Sequence, residues 1–286
     1  MTQPSTSPTT SSDLVLAVIG VGGMGRSIAR RLGTGKTLLL ADFDDATLAA
    51  AAAELRGDGF TVQTQTVDVA DAASVADLAR TAGSLGAVVQ VAHTAGLSPV
   101  QAPAAAILAV DLLGVALVLD AFGQVIAPGG AGVVIASMAG QLSAALTAEQ
   151  EQALALTPTD QLASLPFASA DAVADPGAAY GLAKRANQLR VAAASSTWGA
   201  RGARVNSISP GIISTPMGQA ELSGRAGDHM RAMVAASGTG RLGTPEDITA
   251  AAAFLLGPES SFVTGTDLLV DGGVVAAVRS GRLQLG

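Results

Sequence analysis

The chain has 286 residues, of which 49% are hydrophobic and 14% charged, so it is long and apolar enough to bury a large core. Its formal net charge of −7 argues against a nucleic-acid partner or an anionic membrane surface, because both require clustered Lys and Arg. The lack of cysteine excludes disulfides, thiolate metal sites and a thiol nucleophile, and with only two histidines no metal centre is expected.

The first thirteen residues, MTQPSTSPTTSSD, are predicted to form a disordered tail, since they are rich in Ser, Thr and Pro and lack the features of a signal peptide. The most apolar stretch, 107–127, contains Asp111 and Asp120. An Asp at the centre of a bilayer costs about 2.5–3.5 kcal/mol on insertion scales. We therefore predict a helix buried in a core or a subunit interface, no membrane span, and a cytoplasmic protein.

After the tail, short apolar runs alternate with Ala-rich helical stretches. Seven of these runs are predicted strands: LVLAVIG, TLLLADFD, FTVQTQTVDVAD, AVVQVAHTAG, AGVVIASMAG, ARVNSISPG and DLLVDGG. Strands separated by helices are typical of βαβ units and of a mostly parallel sheet that is covered on both faces. We predict an α/β fold, with a single doubly wound (Rossmann) domain over residues 14–286.

A glycine-rich turn follows the first predicted strand. The segment VIGVGGMG places Gly20, Gly22 and Gly25 in G-x-G-x-x-G spacing between a strand and a helix, with Gly23 and Met24 in the same turn. Such glycines make a tight turn and let the backbone approach a pyrophosphate at the helix N-terminus. The turn therefore predicts a dinucleotide site.

Asp42, at the end of the second strand, is the acid expected about 20 residues after the turn, where it accepts hydrogen bonds from the adenosine ribose. A carboxylate repels a 2′-phosphate. The next residue is Phe43 rather than an arginine, and Arg26 is predicted to face solvent. We expect NAD rather than NADP as the cofactor. The alternative is a simple glycine turn followed by a helix-capping Asp.

The segment YGLAK contains the only tyrosine of the chain. Tyr180 and Lys184 are four residues apart, so on a helix they share one face. A tyrosine with a pKa near 10 is a poor base, but a neighbouring ammonium favours its phenolate. The pair is either a catalytic couple or a solvated pair on a surface helix.

Taken in order, these motifs resemble the short-chain dehydrogenase/reductase family over roughly residues 14–275. The resemblance implies that Ser137, Tyr180 and Lys184 are catalytic, with Asp111 at the position of an Asn that many members use. It implies an NAD-dependent oxidoreductase that interconverts a secondary alcohol and a ketone, with Tyr180 as acid/base. The protein is expected to be a homodimer or homotetramer with a small-molecule alcohol or ketone substrate. The alternatives are a non-catalytic dinucleotide-binding sensor and an enoyl reductase, whose relatives have a wider Tyr–Lys spacing.

The resemblance also implies cofactor contacts from the turn itself, from Tyr180 and Lys184, and from three further segments. These contacts are Asp68, Val69, Ala95, Gly96, Pro210, Gly211, Ile213 and Thr215. Two segments depart from the family pattern: the glycine turn is one residue tighter, and HTAG stands in place of NNAG. His93 is predicted to be a structural hydrogen-bonding group rather than a catalyst.

Ser137 and Tyr180 are 43 residues apart, where the family usually has a short loop. We predict a helical insertion over residues 141–175, as in some hydroxysteroid dehydrogenases and carbonyl reductases. Thr147 and Gln150 have the spacing of a capping box.

A second helix of the insertion is predicted to begin with Thr157 as N-cap and Pro158 at its first position. The insertion is either surface decoration or a lid over a bulky, apolar substrate. As a lid it would supply an apolar lining from Leu142, Leu146, Leu154, Leu156, Leu162 and Leu165.

Overall fold

A computed structural model describes residues 14–224 and 226–283, and the predicted tail lies outside the described residues. One seven-stranded sheet has the order β3-β2-β1-β4-β5-β6-β7, and all of its neighbouring strands are parallel. The strands are β1 Leu14–Ile19, β2 Thr37–Asp42, β3 Thr61–Thr66, β4 Ala87–His93, β5 Ile126–Ile135, β6 Arg204–Pro210 and β7 Asp267–Val270. The predicted single Rossmann domain is confirmed.

Helices cover both faces of the sheet. They are α1 Gly23–Leu32, α2 Asp45–Gly57, α3 Ala72–Leu85, α4 Ala104–Ile107, α5 Val115–Val125, α6 Ala139–Leu142, α7 Ala148–Leu156, α8 Pro176–Gly199, α9 Pro216–Ser223, α10 Gly227–Ala236, α11 Pro245–Leu256 and α12 Val274–Arg279. A π-helical segment, Leu108–Gly114, joins α4 to α5, and 3-10 helices span Thr159–Ser164 and Pro258–Ser260.

The central strand β1 shows why the sheet is buried on both sides. Val15, Ala17 and Ile19 belong to one apolar core, and Leu16 and Val18 belong to the core on the opposite face. Successive side chains of a strand point to opposite faces, so a run that is apolar throughout needs a layer of helices on each side.

The strand order reverses between β1 and β4, which lie side by side at the centre of the sheet. In open parallel sheets, ligands bind at the carboxyl ends of the strands where the order reverses. The turn after β1 and the segment after β4 meet there, because Thr94 and Ala95 both donate backbone hydrogen bonds to Ile19 O, at 2.7 and 2.9 Å. This edge is where the candidate site lies.

The predicted apolar helix spans Ala104–Val125 and includes the π-helical segment. Among the described residues it is the one helix long and apolar enough to cross a membrane, with a hydropathy of 2.2. Phe122 and Leu112 on this helix are fully buried or nearly so, and Asp111 is fully buried. Its packing against α8 and the sheet makes it a core helix of this domain.

The insertion confirms one predicted helix start and corrects the other. Thr147 and Gln150 form the capping box of α7. The prediction that Thr157 caps a second helix is wrong, because Thr157 ends α7 and the following 3-10 helix begins at Thr159 without a side-chain cap. Pro158 is itself extended, with ψ 143°, so it precedes the 3-10 helix instead of forming its first position, and the Thr157 carbonyl accepts a hydrogen bond from Arg190.

Arg190 on α8 ties the insertion to the body of the domain. Its buried guanidinium donates to the carbonyl oxygens of Leu154 and Thr157, at 3.1 and 3.0 Å. It also donates to Thr159 Oγ1 at 3.0 Å, and that hydroxyl donates to Asp120 on α5. The guanidinium therefore donates to carbonyl oxygens at the carboxyl end of α7 that have no partner within the helix. It also fixes the 3-10 helix against α5 through Thr159 and Asp120.

We expect Arg190→Met to lower the free energy of unfolding by about 2–4 kcal/mol, because it leaves buried acceptors without a donor. Arg185→Met, on the same helix, is the matched control: it removes a partly exposed ion pair with Glu151 and should cost less than about 1 kcal/mol. Urea unfolding followed by circular dichroism measures both. Equal losses for the two variants would contradict an anchoring role for Arg190.

Candidate active site

The glycine turn is shaped by close backbone contacts. Gly20 has φ +90, and a Cβ there would lie 2.4 Å from the backbone nitrogen of Ala95. A Cβ on Gly25 would lie 1.9 Å from Gly20 O, whereas a Cβ on Gly22 would meet nothing within 4 Å. Gly20 and Gly25 are thus required by packing. At Gly22, just before α1, the turn has free space beside it. A pyrophosphate fits this open side, where the first N–H groups of α1 are unpaired within the helix.

Asp42 points back at the turn. Its Oδ2 accepts the backbone N–H of Val21 at 2.7 Å, and its Oδ1 accepts that of Asp44 at 3.1 Å. The helix-capping alternative for Asp42 is wrong, because the cap of α2 is Asp44, which accepts from Thr47 N at 2.7 Å. The half-buried carboxylate is held at the end of β2, beside the open turn.

The neighbours of Asp42 offer no free cation among the described residues. Phe43 is 73% exposed. Arg26, predicted to face solvent, is only partly exposed and forms an ion pair with Glu54 on α2, at 3.1 Å. The charge that could pair with a 2′-phosphate is already engaged.

The other predicted cofactor contacts lie along the same edge. Asp68 is exposed and its carboxylate accepts from Ala70 N at 2.9 Å, while Val69 is buried against Gly114. Ala95 and Gly96 directly follow β4.

The Pro-Gly segment returns over the glycine turn. Pro210 ends β6, Gly211 donates to Val270 O, and Ile213 is buried. Thr215 caps α9 by accepting from Gly218 N at 3.1 Å. A Cβ on Gly23 would lie 3.0 Å from Thr215 Cγ2, so this segment packs against the start of α1 and borders the crevice beside the glycine turn.

Tyr180 and Lys184 share one face of α8, as predicted, and they face inward. Lys184 is 4% exposed, and its Nζ lies 5.3 Å from the centroid of the Tyr180 ring. Lys184 Nζ also donates to Ile135 O at 3.3 Å, at the end of β5. Ser137, two residues further on, hydrogen-bonds to Tyr180. The alternative of a solvated pair on a surface helix is therefore wrong.

The π-helical segment brings Asp111 to this group. Asp111 Oδ2 lies 3.0 Å from Lys184 Nζ, and the two side chains are 0% and 5% exposed. Asp111 Oδ1 accepts from Leu97 N at 2.8 Å. Burial lowers the pKa of Lys184, but Asp111 and Tyr180 together outweigh it, so the net direction is upward and Lys184 stays charged. Burial also raises the pKa of Asp111, against the pull of Lys184.

The effect of Lys184 on the pKa of Tyr180 has the predicted direction, but it is not the largest effect. Burial raises the pKa of Tyr180, and the charge of Lys184 lowers it, as expected. Asp111 raises it again, and the hydrogen bond from Ser137 lowers it. The net direction is upward. In the protein alone the phenol is thus the favoured form, because burial and Asp111 outweigh the lysine.

A residue that sequence reasoning missed holds the Ser137 segment in place. Gln188 Nε2 donates to Ser137 O at 3.3 Å and to Ser209 Oγ at 2.9 Å. Ser209 in turn lies 2.9 Å from the carboxylate of Asp267, which also accepts from Gln141 at 3.1 Å. Gln188 lies one turn beyond Lys184, so its spacing of four residues was the available signal.

His93 does not play the predicted role. The ring is 1% exposed, and neither nitrogen has a hydrogen-bond partner among residues 14–224 and 226–283. Burial, with a smaller contribution from Lys184, lowers the pKa of His93 to about 3. The imidazole is neutral, and the prediction of a structural hydrogen-bonding group is wrong.

The six leucines of the insertion do not form one lining. Leu154 and Leu162 are fully buried in the core against α8, whereas Leu156 is 62% exposed. Leu146 and Leu165 pack in the cluster that contains Tyr180. Leu142 packs elsewhere, with Ile212 and Leu222. Most of these leucines therefore pack in the cluster that contains α8, and only some of them lie near Tyr180.

In comparison with known proteins, two family models match successive parts of the chain. A family model described as short chain dehydrogenase matches residues 14–149, and one described as Enoyl-(Acyl carrier protein) reductase matches residues 143–275. Among curated proteins, the "Short-chain dehydrogenase/reductase bsc3" of Alternaria brassicicola is 43% identical over 93% of this chain and 97% of its own length. The "D-threitol dehydrogenase" of Mycolicibacterium smegmatis is 31% identical over 91% of this chain and 92% of its own.

Among solved structures, a short-chain dehydrogenase/reductase from Serratia marcescens has the same fold. It superposes with a TM-score of 0.70 and 23% identity, covering 93% of this chain and 99% of that one.

Proposed function

We propose that this chain, which belongs to the short-chain dehydrogenase/reductase family, interconverts a secondary alcohol and a ketone with NAD. The observation that carries the proposal is the grouping of Ser137, Tyr180 and Lys184 around one point at the carboxyl edge of the sheet, beside the open glycine turn. The curated relatives are named as dehydrogenases and reductases, which supports an oxidoreductase.

The cofactor, when bound, would supply the hydride chemistry: the oxidised form would take the hydride of the alcohol carbon, and NADH would give one to the ketone. Tyr180 Oη takes the hydroxyl proton of the alcohol during oxidation and gives it back during reduction. Ser137 donates a hydrogen bond to the substrate oxygen and steadies the charge that develops there. Lys184 keeps its charge beside the tyrosine and favours the phenolate, as its lowering effect on the pKa of Tyr180 indicates.

The carboxylate of Asp42 supports NAD over NADP. It stands at the end of β2 with one oxygen bonded to Val21 N, in the position from which it accepts a ribose hydroxyl. A 2′-phosphate would meet this negative charge without a compensating cation, because Arg26 is paired with Glu54.

The alternative of a non-catalytic sensor is less well supported. A sensor has no use for a buried lysine paired with an acid under a tyrosine, and holding such a pair out of water is costly. The spacing of four residues between Tyr180 and Lys184 argues against an enoyl reductase.

The direct test follows NADH absorbance with purified protein, NAD and a panel of secondary alcohols. We expect Tyr180→Phe to lower kcat by about 100-fold to 10,000-fold, because it removes the group that takes the proton. NAD affinity, measured by calorimetric titration, should change little, since the deleted hydroxyl is far from the Asp42 end of the crevice. Turnover retained in Tyr180→Phe would contradict the assigned role.

The cofactor preference is tested by titrating NAD and NADP into wild type and Asp42→Asn. Asn keeps an acceptor for Val21 N but removes the charge, so the preference for NAD should narrow by about tenfold to 100-fold. Asp45→Asn, on the exposed start of α2, is the matched control and should leave the preference unchanged. Equal affinity of the wild type for both cofactors would overturn the NAD assignment.

Asp111 should set the pH at which oxidation begins. Its charge raises the pKa of Tyr180, so Asp111→Asn lowers that pKa and makes the phenolate available at lower pH. The rising limb of the kcat profile for alcohol oxidation should therefore move to lower pH. Asp77→Asn, on the exposed face of α3, controls for the change in net charge. Superimposable profiles for wild type and Asp111→Asn would mean that Asp111 is held protonated and exerts no field.

A further inference from the structure

A buried polar cluster lies on β6, on the face of the sheet that packs against α8. Ser207 and Ser209 are both 0% exposed, and they share this face with Val205, which belongs to an apolar core. A buried hydroxyl costs free energy unless it is hydrogen-bonded. The two serines are thus stable in this layer only through the hydrogen bonds that they make.

Asp267, the first residue of β7, accepts hydrogen bonds from both hydroxyls. Ser207 stands opposite it in the parallel ladder, and Ser207 Oγ donates to Asp267 Oδ1 at 2.7 Å. Ser209 Oγ lies 2.9 Å from each carboxylate oxygen, and Gln141 Nε2 donates to Oδ2 at 3.1 Å. Several donors around one side chain suit an ionised carboxylate, which can only accept. Asp267 therefore sets the direction of the hydrogen bonds in the cluster.

Gln188 on α8 carries this direction from the cluster to the catalytic serine. Because the hydrogen of Ser209 points at Asp267, the Ser209 oxygen is left to accept, and Gln188 Nε2 donates to it at 2.9 Å. The same nitrogen donates to Ser137 O at 3.3 Å. On the other side of the amide, Gln188 Oε1 accepts from Arg185 at 3.1 Å. The amide is thus fixed with its nitrogen toward Ser137.

These contacts leave Ser137 oriented as a hydrogen-bond donor. Its carbonyl oxygen also accepts from Gly140 N at 3.1 Å, and its Oγ accepts from Ala139 N at 3.1 Å. A hydroxyl has one hydrogen, so the hydrogen of Ser137 is left to be donated. Gly140 packs directly on the same amide, since a Cβ there would lie 2.9 Å from Gln188 Nε2. The cluster therefore holds the serine in the state that the proposed chemistry needs.

We propose that Asp267 and Ser209 are positioning residues that hold Ser137 with its hydroxyl aimed at the substrate oxygen. The inference rests on the proposed function and deepens it by naming residues of β6 and β7 that act on the reaction. They act through Gln188, and Asp267 lies three hydrogen bonds from Ser137. A donor that is already aimed at developing charge stabilises the transition state without first having to reorient. Loss of the cluster should therefore slow turnover through Ser137.

The experiment is a double-mutant cycle on kcat for the oxidation of a secondary alcohol with NAD. Ser209→Ala leaves the net charge unchanged and should lower kcat by about 5-fold to 30-fold, while KM for NAD changes by less than about twofold. Ser137→Ala should lower kcat by about 100-fold to 1,000-fold. Adding Ser209→Ala to Ser137→Ala should lower kcat by less than about twofold, because no hydroxyl is left to position.

Ser260→Ala is the matched control. Ser260 is also 0% exposed, and its hydroxyl donates to Leu255 O at 3.0 Å, at the end of α11. The variant should lose stability to urea and keep its kcat, as a merely structural serine would. Asp267→Asn is a second test of the cluster that keeps the size of the side chain, and it should lower kcat about as much as Ser209→Ala.

An equal loss of kcat from Ser209→Ala in the wild type and in Ser137→Ala would overturn the inference, as would an unchanged kcat in both Ser209→Ala and Asp267→Asn. Amide hydrogen exchange at Ala139, measured by NMR, tests the positioning without turnover. Exchange should be about tenfold faster in Ser209→Ala and unchanged in Ser260→Ala, and an unchanged rate in Ser209→Ala contradicts the inference. Failure of every alcohol to react with either cofactor would refute the proposed function, while the exchange rates would still decide whether the cluster positions Ser137.

Discussion

The buried ion pair between Lys184 and Asp111 is the contact around which the active site is organised. Removing two charges from water costs several kcal/mol each, and their attraction offsets this only if further hydrogen bonds complete the arrangement. Here Ile135 O accepts from the ammonium and Leu97 N donates to the carboxylate. These partners come from β5 and from the loop after β4. The pair therefore fixes the positions of the two loops that border the crevice, as well as that of α8.

The same pair creates a competition at Tyr180. The ammonium favours the phenolate, but the carboxylate that keeps the ammonium charged also raises the pKa of the tyrosine. With Asn in place of Asp111 the lysine would act on the tyrosine with less opposition, but a buried ammonium would lose its counter-ion. The chain thus combines a lysine whose pKa is raised with a tyrosine whose pKa is also raised.

Patterns that are local in sequence were predicted well, and contacts between distant segments were not. The seven strands, the capping box at Thr147 and the shared face of Tyr180 and Lys184 each depend on residues a few positions apart. Several predicted strands ran on into the loops at their carboxyl ends: the run predicted to form β3 continued to Asp71, whereas the strand ends at Thr66. The hydrogen bond from Gln141 to Asp267 joins segments 126 residues apart, and no spacing rule points to it. The prediction for His93 was wrong for a similar reason, since its surroundings include Lys184, which is distant in sequence.

The insertion illustrates how a partly correct local prediction can mislead about function. Its first helix was expected, and its leucines suggested a lid, because apolar side chains on an insertion beside a substrate site can line that site. Yet Leu154 and Leu162 are buried against α8, and the buried guanidinium of Arg190 holds the end of α7 from the same helix. A lid must open at little cost, but opening this insertion would expose two leucines and leave a buried cation without its acceptors. The segment is therefore better described as a fixed support that holds α8, and with it Tyr180 and Lys184, against the sheet.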